Sequence, residues 1–356
     1  MKTDEISPEL IRFGLDTFGD MTVDDAGKPE PAGAVLRHVV EEAKLADELG
    51  LDGFNVGEHH RADFAVSAPD IVLAGIATVT KHITLGSGVT VLSSEDPVRV
   101  FQRFATIDGL SSGRAEITAG RGSFIESFPL FGYELNDYGV LFEEKLELLV
   151  KLLEERPVTW QGSTRAPLSD QAVYPTTERG AIPLRVGVGG SPESVVRAAR
   201  VGAALALAII GGDPARFEPY ARLYREALEK FGKPQLPISI HSPGHIAETD
   251  EQAIEELWPH YEEMFGRIGR ERGWGPVTKG HYLTEVNSGS LYVGSPETVA
   301  RKIAYAIDSV GAHRFDLKYS NGPMAHSKLM RSIELYATKV VPMVRELLAE
   351  QKVGSK

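Results

Sequence analysis

A single arginine between two glycines has the residue types and the position to bind an anion. The small and β-branched residues from Arg114 to Ala119 predict a buried strand, which Gly120-Arg121-Gly122 ends. Glycine allows the backbone to approach a ligand closely, and the planar guanidinium of Arg121 suits a phosphate or a carboxylate. Because α/β proteins bind ligands beyond the C-terminal ends of their strands, Arg121 is a candidate binding residue.

A second segment predicts a helix N-terminus that could hold a phosphate group. In Gly189-Gly190-Ser191-Pro192, Ser191 is placed to cap a helix and Pro192 lies in its first turn. Free amides, the helix dipole and the hydroxyls of Ser191 and Ser194 would favour a phosphate there. The same pattern recurs at Gly294-Ser295-Pro296-Glu297 as ordinary capping, so the pattern alone leaves both interpretations open.

Four of the ten histidines occur in two groups, and neither group has the spacing of a metal site. Glu58-His59-His60 follows a predicted strand, but adjacent histidines cannot both face one metal ion. His241 and His245 would chelate a metal only on a helix, whereas Ser242-Pro243-Gly244 predicts a turn. We therefore predict no metal ligands from the sequence.

Composition excludes several classes of function. The formal net charge is -12 and both signs are scattered, which argues against binding to nucleic acid or to an anionic membrane. There is no cysteine, so disulfides, thiolate metal sites and cysteine nucleophiles are excluded. The polar N-terminus and the lack of a long apolar run predict a soluble, cytoplasmic protein.

Strand and helix patterns alternate along the chain, which predicts parallel strands joined by right-handed helical crossovers. The predicted strands are Arg12 to Phe18, Gly53 to Gly57, Ile83 to Leu92, Arg114 to Ala119, Leu184 to Val188, Ala204 to Ile210, Ile238 to Ala247 and Arg314 to Tyr319. Eight such pairs are typical of a closed (β/α)8 TIM barrel. An open doubly wound sheet is the alternative, but the first strand lacks the Gly-x-Gly-x-x-Gly fingerprint of that fold.

Three segments interrupt the alternation and predict insertions at the C-terminal mouth of the barrel. Ser123 to Asn136 is expected to be a loop, and Pro157 to Ile182 a hairpin. The mixed segment from Trp258 to Ser290, about residues 258–290, is expected to form a lid that carries substrate specificity. We interpret residues 1–356 as a single barrel domain.

Taken together, these segments resemble the bacterial luciferase-like flavin monooxygenases. The matching motifs are Glu58-His59-His60 with Phe64, Leu85 to Leu92, Asp96 to Arg99, Asp108 to Arg114, Gly120-Arg121-Gly122 and Val293 to Glu297. The resemblance covers nearly the whole chain. It implies a (β/α)8 barrel that binds FMN at its C-terminal mouth, uses the reduced form and reacts it with O2.

The resemblance also implies a role for individual residues. Arg121 is similar to the flavin-phosphate arginine of the family, and Gly190, Ser191 and Ser194 are similar to the backbone and hydroxyl partners of that phosphate. Gly88-Val89 occupies the position of a non-prolyl cis peptide bond that lies against the flavin ring. His59 falls on the catalytic histidine of the family.

Some positions depart from the luciferase pattern, which argues against light emission and an aldehyde substrate. Gly120 replaces the reactive cysteine, Ala208 replaces a serine near the phosphate, and Gly190 replaces an acidic residue. The leading hypothesis is oxygenation of a small organic substrate with reduced FMN. Since no NAD fingerprint is visible, the resemblance points to a separate NAD(P)H:flavin reductase that supplies it.

Three other functions remain open at this point. The deazaflavin F420 could replace FMN for hydride transfer without oxygen. The protein could also store flavin or serve as an assembly component without catalysis, or the barrel could belong to a metal-dependent hydrolase. The apolar helix pattern from Val140 to Leu153 predicts a homodimer or a higher oligomer.

Overall fold

Eight parallel strands close into a barrel in the computed structural model, which describes residues 6–122, 125–272 and 275–354. These strands, named β1 to β8 in chain order, are Arg12–Thr17, Gly53–Val56, Thr84–Ser87, Ala115–Gly120, Leu184–Val188, Ala204–Ala208, Ile238–Ile246 and Arg314–Lys318. Each strand pairs in parallel with the next, and β8 pairs with β1, where Leu15 faces Leu317. The predicted (β/α)8 barrel is confirmed.

Amphipathic helices surround the barrel. They are Ala32–Glu48, Pro69–Ala77, Pro97–Ser111, Tyr138–Leu152, Pro192–Val201, Glu218–Lys230, Pro296–Val310, His326–Leu335 and Val341–Gly354. Apolar residues three and four positions apart, such as Val299, Ile303 and Ile307, place one face of each helix on the barrel. A π-helical turn, Tyr336–Val340, joins the last two helices.

The insertions contain more regular structure than the sequence predicts. The expected loop from Ser123 contains a short helix, Ser127–Phe131, although Ser123 and Phe124 lie outside the described residues. The predicted hairpin is confirmed by the antiparallel strands Val158–Trp160 and Leu168–Gln171. The prediction of one strand from Ile83 to Leu92 is wrong at its end, because β3 stops at Ser87 and Thr90–Val91 then pairs with β4.

Two helices, Asp250–Arg272 and Lys279–Ser288, form most of the segment after β7. Their aromatic side chains pack together, with the rings of Trp258 and Tyr282 centred 5.2 Å apart, while Trp274 lies outside the described residues. A short strand, Tyr292–Gly294, then pairs with β7. None of the helices in the described ranges has the length and apolar character that crossing a membrane requires.

A buried ionic cluster fills the barrel interior near the N-terminal ends of the strands. Arg185 of β5 donates to Glu116 of β4 at 2.6 Å and to Asp316 of β8 at 3.3 Å. Arg314 donates to Glu116 and Asp316, at 2.7 Å each. Burial alone would raise the pKa of Glu116, but attraction by the two arginines lowers it to about 2. With this end closed by charged side chains, a ligand must enter at the opposite, C-terminal mouth.

Candidate functional site

Arg121 and the helix Pro192–Val201 meet at the barrel mouth. Arg121 directly follows β4, and its Nη2 donates to the hydroxyl oxygen of Ser194 at 3.4 Å. The ring of Tyr138 lies beneath the guanidinium at 4.8 Å, and the Tyr138 hydroxyl donates to the carbonyl of Gly122 at 3.3 Å. The tyrosine therefore orients Arg121 toward the helix N-terminus.

The predicted cap of this helix is present. Ser191 is the N-cap residue, and its hydroxyl oxygen accepts from the Ser194 amide at 3.3 Å. The Ser191 hydroxyl also donates to Glu193 at 2.7 Å, and Arg197 donates to the hydroxyl oxygen of Ser194 at 3.3 Å. Gly190 lies immediately before the cap, beside the ring of Phe217. Four of the predicted cofactor-binding residues, Arg121, Gly190, Ser191 and Ser194, are thus brought together.

The second copy of the capping pattern provides a contrast. At the helix Pro296–Val310, the carboxylate of Asp250 accepts from the Ser295 amide at 2.6 Å and from the Thr298 hydroxyl at 2.9 Å. Here the chain supplies its own anion to the N-terminus, so this copy is a structural cap. At the helix Pro192–Val201 the hydroxyl of Ser194, in the position that corresponds to Thr298, contacts Arg121 instead of a carboxylate.

Arg121 has no carboxylate partner within 4 Å in the described part of the chain, whereas its neighbour Arg197 pairs with Glu143. An arginine without an ion-pair partner in these ranges, next to a helix N-terminus, is an arrangement that favours an anionic ligand.

The peptide bond between Gly88 and Val89 is cis, as the resemblance predicts. The Gly88 amide donates to the carbonyl of Val56 at 3.0 Å, which places the bond at the mouth between β2 and β3. Val89 packs against Gly120, where a Cβ atom would lie 2.5 Å from Cγ2 of Val89. A cysteine at position 120 would therefore require Val89 to move, which accounts for the glycine there.

His59 is buried at the mouth, after β2. Its ring lies between those of Phe18 and Phe64, with centroids at 4.5 and 4.6 Å, and its Nδ1 is 3.6 Å from a carboxylate oxygen of Glu126. Burial raises the pKa of Glu126, but the hydrogen bond and the charge of His59, together with backbone hydrogen bonds at Glu126 and His60, lower it by more, so the net pKa is lowered. A carboxylate beside an imidazole in this way can orient the ring for proton transfer.

The neighbours of His59 in the sequence have other contacts. Glu58 accepts from the amide of Val91 at 2.6 Å, which attaches the β2 end to the segment after β3. His60 lies 3.5 Å from Glu58, and the hydrogen bond with this carboxylate raises the pKa of His60 despite partial burial. Glu58 therefore holds the backbone at Val91 and the ring of His60 in place.

Asp16 and His241 form a pair that sequence reasoning did not identify. Oδ2 of Asp16 is 3.4 Å from Nδ1 of His241, and its Oδ1 has no hydrogen-bond partner in the described ranges. Burial raises the pKa of Asp16, although His241 opposes this effect. A charged residue directly after the apolar residues Phe13 and Leu15 of a predicted buried strand was the available signal.

The turn predicted at Ser242-Pro243-Gly244 is wrong, because β7 runs without interruption from Ile238 to Ile246. Pairing with β8 on one side holds this segment extended. His245 consequently lies inside the protein, where its Nε2 is 2.9 Å from Glu256. The two histidines of β7 therefore serve separate contacts, and neither pairs with the other.

A cavity of about 370 Å³ lies beyond the C-terminal ends of β1, β2 and β8. The loops after β1, β2 and β8 and the helix Asp250–Arg272 line it, and its wall includes Phe64, whose ring contacts His59. Polar groups on the wall are already paired, as in Arg267 with Asp63 at 3.4 Å and Lys318 with Asp20 at 3.1 Å. The cavity has the volume and mixed character of a site for a small organic molecule.

Comparisons with known proteins agree with this geometry. The sequence pattern of the luciferase-like monooxygenase family matches residues 17–314. The 4-hydroxyprotoasukamycin monooxygenase of Streptomyces nodosus subsp. asukaensis is 26% identical over 337 residues, which cover 88% of each chain.

Two solved structures share the fold. The oxygenating constituent of 3,6-diketocamphane monooxygenase from Pseudomonas putida, in complex with FMN, has a TM-score of 0.77 and 17% identity, covering 94% of this chain and 98% of that one. The coenzyme F420 dependent tetrahydromethanopterin reductase of Methanopyrus kandleri has a TM-score of 0.71 and 19% identity, covering 93% and 99%. With its barrel, its mouth and the family pattern over most of its length, the chain belongs to the luciferase-like monooxygenase family and is an oxidoreductase.

Proposed function

We propose that this protein is an FMN-dependent monooxygenase that oxygenates a small organic substrate with O2. Reduced FMN, when bound, supplies the electrons that activate O2, so that one oxygen atom enters the substrate and the other leaves as water. The protein residues bind and orient the two molecules, move protons and exclude water.

The contact between Arg121 and Ser194 carries this proposal. Arg121 has no carboxylate partner in the described ranges and lies 3.4 Å from the hydroxyl of a residue in the first turn of a helix. A phosphate monoester would accept from Arg121, from the hydroxyls of Ser191 and Ser194 and from free helix amides, as FMN requires. This donor set fits the terminal phosphate of FMN, with Gly190 allowing close backbone approach.

The remaining predicted residues fit the other end of the same ligand. Gly88 and Val89 would lie against the flavin ring, and His59 would hold or accept a proton near the reacting atoms, aided by Glu126 at 3.6 Å. The substrate would occupy the cavity beside Phe64. The helices Asp250–Arg272 and Lys279–Ser288 would act as the lid that excludes water from it.

We also propose partners for this enzyme. A separate NAD(P)H:flavin reductase would supply reduced FMN, since the first strand lacks a dinucleotide fingerprint. A homodimer is supported by a group of apolar side chains that are at least 44% exposed, namely Ile125, Leu130, Phe131, Leu135 and Val140. We also propose that the protein is cytoplasmic, where it would meet both the reductase and a second copy of itself.

A thermodynamic cycle tests the phosphate site. Affinities of FMN and of riboflavin, which lacks the phosphate, are measured for the native protein and for Arg121→Ala by titration. Arg121→Ala should weaken FMN binding about 10- to 100-fold, since it removes hydrogen bonds to a charged group, and should leave riboflavin binding nearly unchanged. Arg156→Ala, at an exposed arginine, is the matched control. If Arg121→Ala weakened the binding of FMN and of riboflavin equally, Arg121 would not be the residue that binds the phosphate.

A second measurement separates FMN from F420. Binding of both reduced cofactors is compared without oxygen, and O2 consumption is then followed with reduced FMN. We expect tighter binding of FMN and faster O2 consumption than in a protein-free control. Preference for F420 would make the protein a deazaflavin-dependent hydride-transfer enzyme of the same fold.

A further inference from the structure

Two imidazoles and a carboxylate converge on the outer side of the barrel. His38 and Glu41 lie on the helix Ala32–Glu48, and His326 begins the helix His326–Leu335. One ligand atom from each residue lies within 4.8 Å of the other two, and the histidine rings are stacked with centroids 3.8 Å apart. The convergence is produced by the fold, because the two helices follow the first and the last barrel strands.

The carboxylate of Glu42 fixes the ring orientation of His326. Its Nδ1 is 3.0 Å from Glu42, a buried residue whose other carboxylate oxygen accepts from the Tyr319 hydroxyl at 2.5 Å. This leaves Nε2 of His326 directed toward Glu41, at 3.4 Å. A carboxylate that fixes one nitrogen of a histidine while the other nitrogen points outward is the usual outer-shell arrangement of metal-binding histidines.

His38 has a nitrogen that its surroundings do not satisfy. Its Nδ1 is buried and has no hydrogen-bond partner in the described ranges, although Glu30 lies 3.4 Å away. Glu30 is itself engaged by the Thr22 hydroxyl at 2.7 Å. Three carboxylates, from Glu30, Glu41 and Glu42, thus lie around the two imidazoles. This excess of negative charge favours a bound cation over a neutral ligand.

We propose that His38, Glu41 and His326 bind one divalent metal ion, for which Zn²⁺ is the best match. Two nitrogen ligands and one carboxylate suit zinc, with water completing the tetrahedron. Tetrahedral zinc holds its ligand atoms about 3.4 Å apart, so the side chains must move inward by about 1 Å. The two stacked rings must also turn relative to each other, so that one nitrogen lone pair of each points at the ion. Glu41 is exposed and His38 is half-buried, so both can make this shift.

The bound metal would connect the helix after β1 to the helix after β8. These are the elements that close the barrel, so metal binding stabilises the folded state against the unfolded chain, in which the ligands are far apart. The role is structural and independent of the cofactor site at the mouth.

Calorimetric titration of ZnCl2 into tag-free protein that has been treated with a chelator tests the site. We expect one equivalent to bind, and a rise in Tm of about 3 °C at a free metal concentration near 100 times Kd. His38→Gln and Glu41→Gln should each weaken binding at least 10-fold, whereas His82→Gln, at an exposed histidine elsewhere, should not.

Glu41→Gln keeps the test valid if a histidine variant fails to fold, because Glu41 lies on the surface and its loss leaves no buried group unpaired. No binding by the native protein, or equal binding by the native protein and by both variants, would overturn the proposal.

Discussion

A Cβ atom on Gly88 would overlap Oδ2 of Asp16, so the backbone of the Gly88-Val89 segment lies directly against a buried carboxylate. The same carboxylate oxygen is 3.4 Å from Nδ1 of His241. Gly88 therefore brings the mouth segment after β3 against Asp16 of β1, and Asp16 in turn lies beside His241 of β7.

Gly88→Ala should therefore destabilise the protein and weaken FMN binding. The added methyl group must displace the buried carboxylate of Asp16, and overpacking of this kind costs about 1 to 3 kcal/mol. Urea unfolding and FMN titration measure the two effects. Gly75→Ala is the control, since a Cβ there meets nothing within 4 Å and alanine favours its helix. If Gly88→Ala is as stable as Gly75→Ala, the contact does not constrain the site.

His59→Gln should slow the reaction while leaving the cofactor in place. His59 contacts the rings of Phe18 and Phe64, and no contact in the described ranges links it to Arg121 or Ser194, so FMN affinity should change by less than about 3-fold. Loss of a positioned acid or base typically costs about 100-fold or more. The rate at which O2 oxidises protein-bound reduced FMN, followed by stopped-flow absorbance, provides the measurement.

His60→Gln is the matched control for this change, because His60 contacts Glu58 and the ring of Phe131. Its effect on the rate should be small. If O2 oxidised the bound reduced FMN as fast in His59→Gln as in His60→Gln, His59 would have no role in the reaction. A flavin-storing protein would then be favoured.

Asp16→Asn should stabilise the protein at pH 7. Burial raises the pKa of Asp16, so the folded state binds this proton more tightly than the unfolded chain does. Protonated Asp16 contributes its full stabilisation below the pKa of about 3.8 that it has in the unfolded chain. This contribution is lost as the pH rises through the pKa of Asp16 in the folded protein.

Above the unfolded pKa the buried carboxyl group consequently carries a cost that asparagine avoids, and we expect a gain of about 0.5 to 2 kcal/mol in urea unfolding at pH 7. The gain should diminish below pH 4. A loss of stability at pH 7 would mean that attraction between Asp16 and His241 exceeds the cost of burial.

Glu116→Gln should have the opposite pH dependence. Attraction by Arg185 and Arg314 lowers the pKa of Glu116 to about 2, so its stabilisation is complete above the unfolded value of 4.5 and is lost as pH falls toward 2. Removing this charge leaves two arginines undercompensated and should cost about 3 to 5 kcal/mol at pH 7.

Urea unfolding of the native protein and of Glu116→Gln from pH 7 to pH 2.5 should therefore give curves that converge in acid. Glu229→Gln, at an exposed carboxylate, should remain close to the native protein throughout. A difference that stays constant with pH would show that lost packing, rather than lost charge, causes the effect.

The sequence by itself determined the barrel and much of its mouth. Strands and helices follow from short-range patterns of apolar residues, and eight repeats of the pair close the sheet. Glycines and caps mark where strands end and helices begin, so Arg121, Ser191 and Ser194 could be identified as neighbours at one edge. The cis bond before Val89 was predicted from family resemblance rather than from composition or spacing.

Only the tertiary structure decided which charged groups meet. The pairing of Asp16 with His241, the contact of His59 with Glu126 and the convergence of His38 with His326 each join residues from different elements. Such contacts depend on strand register and helix packing, which no local pattern encodes. The same reason explains why Pro243 lies within a strand: pairing with β8 outweighs the local preference for a turn.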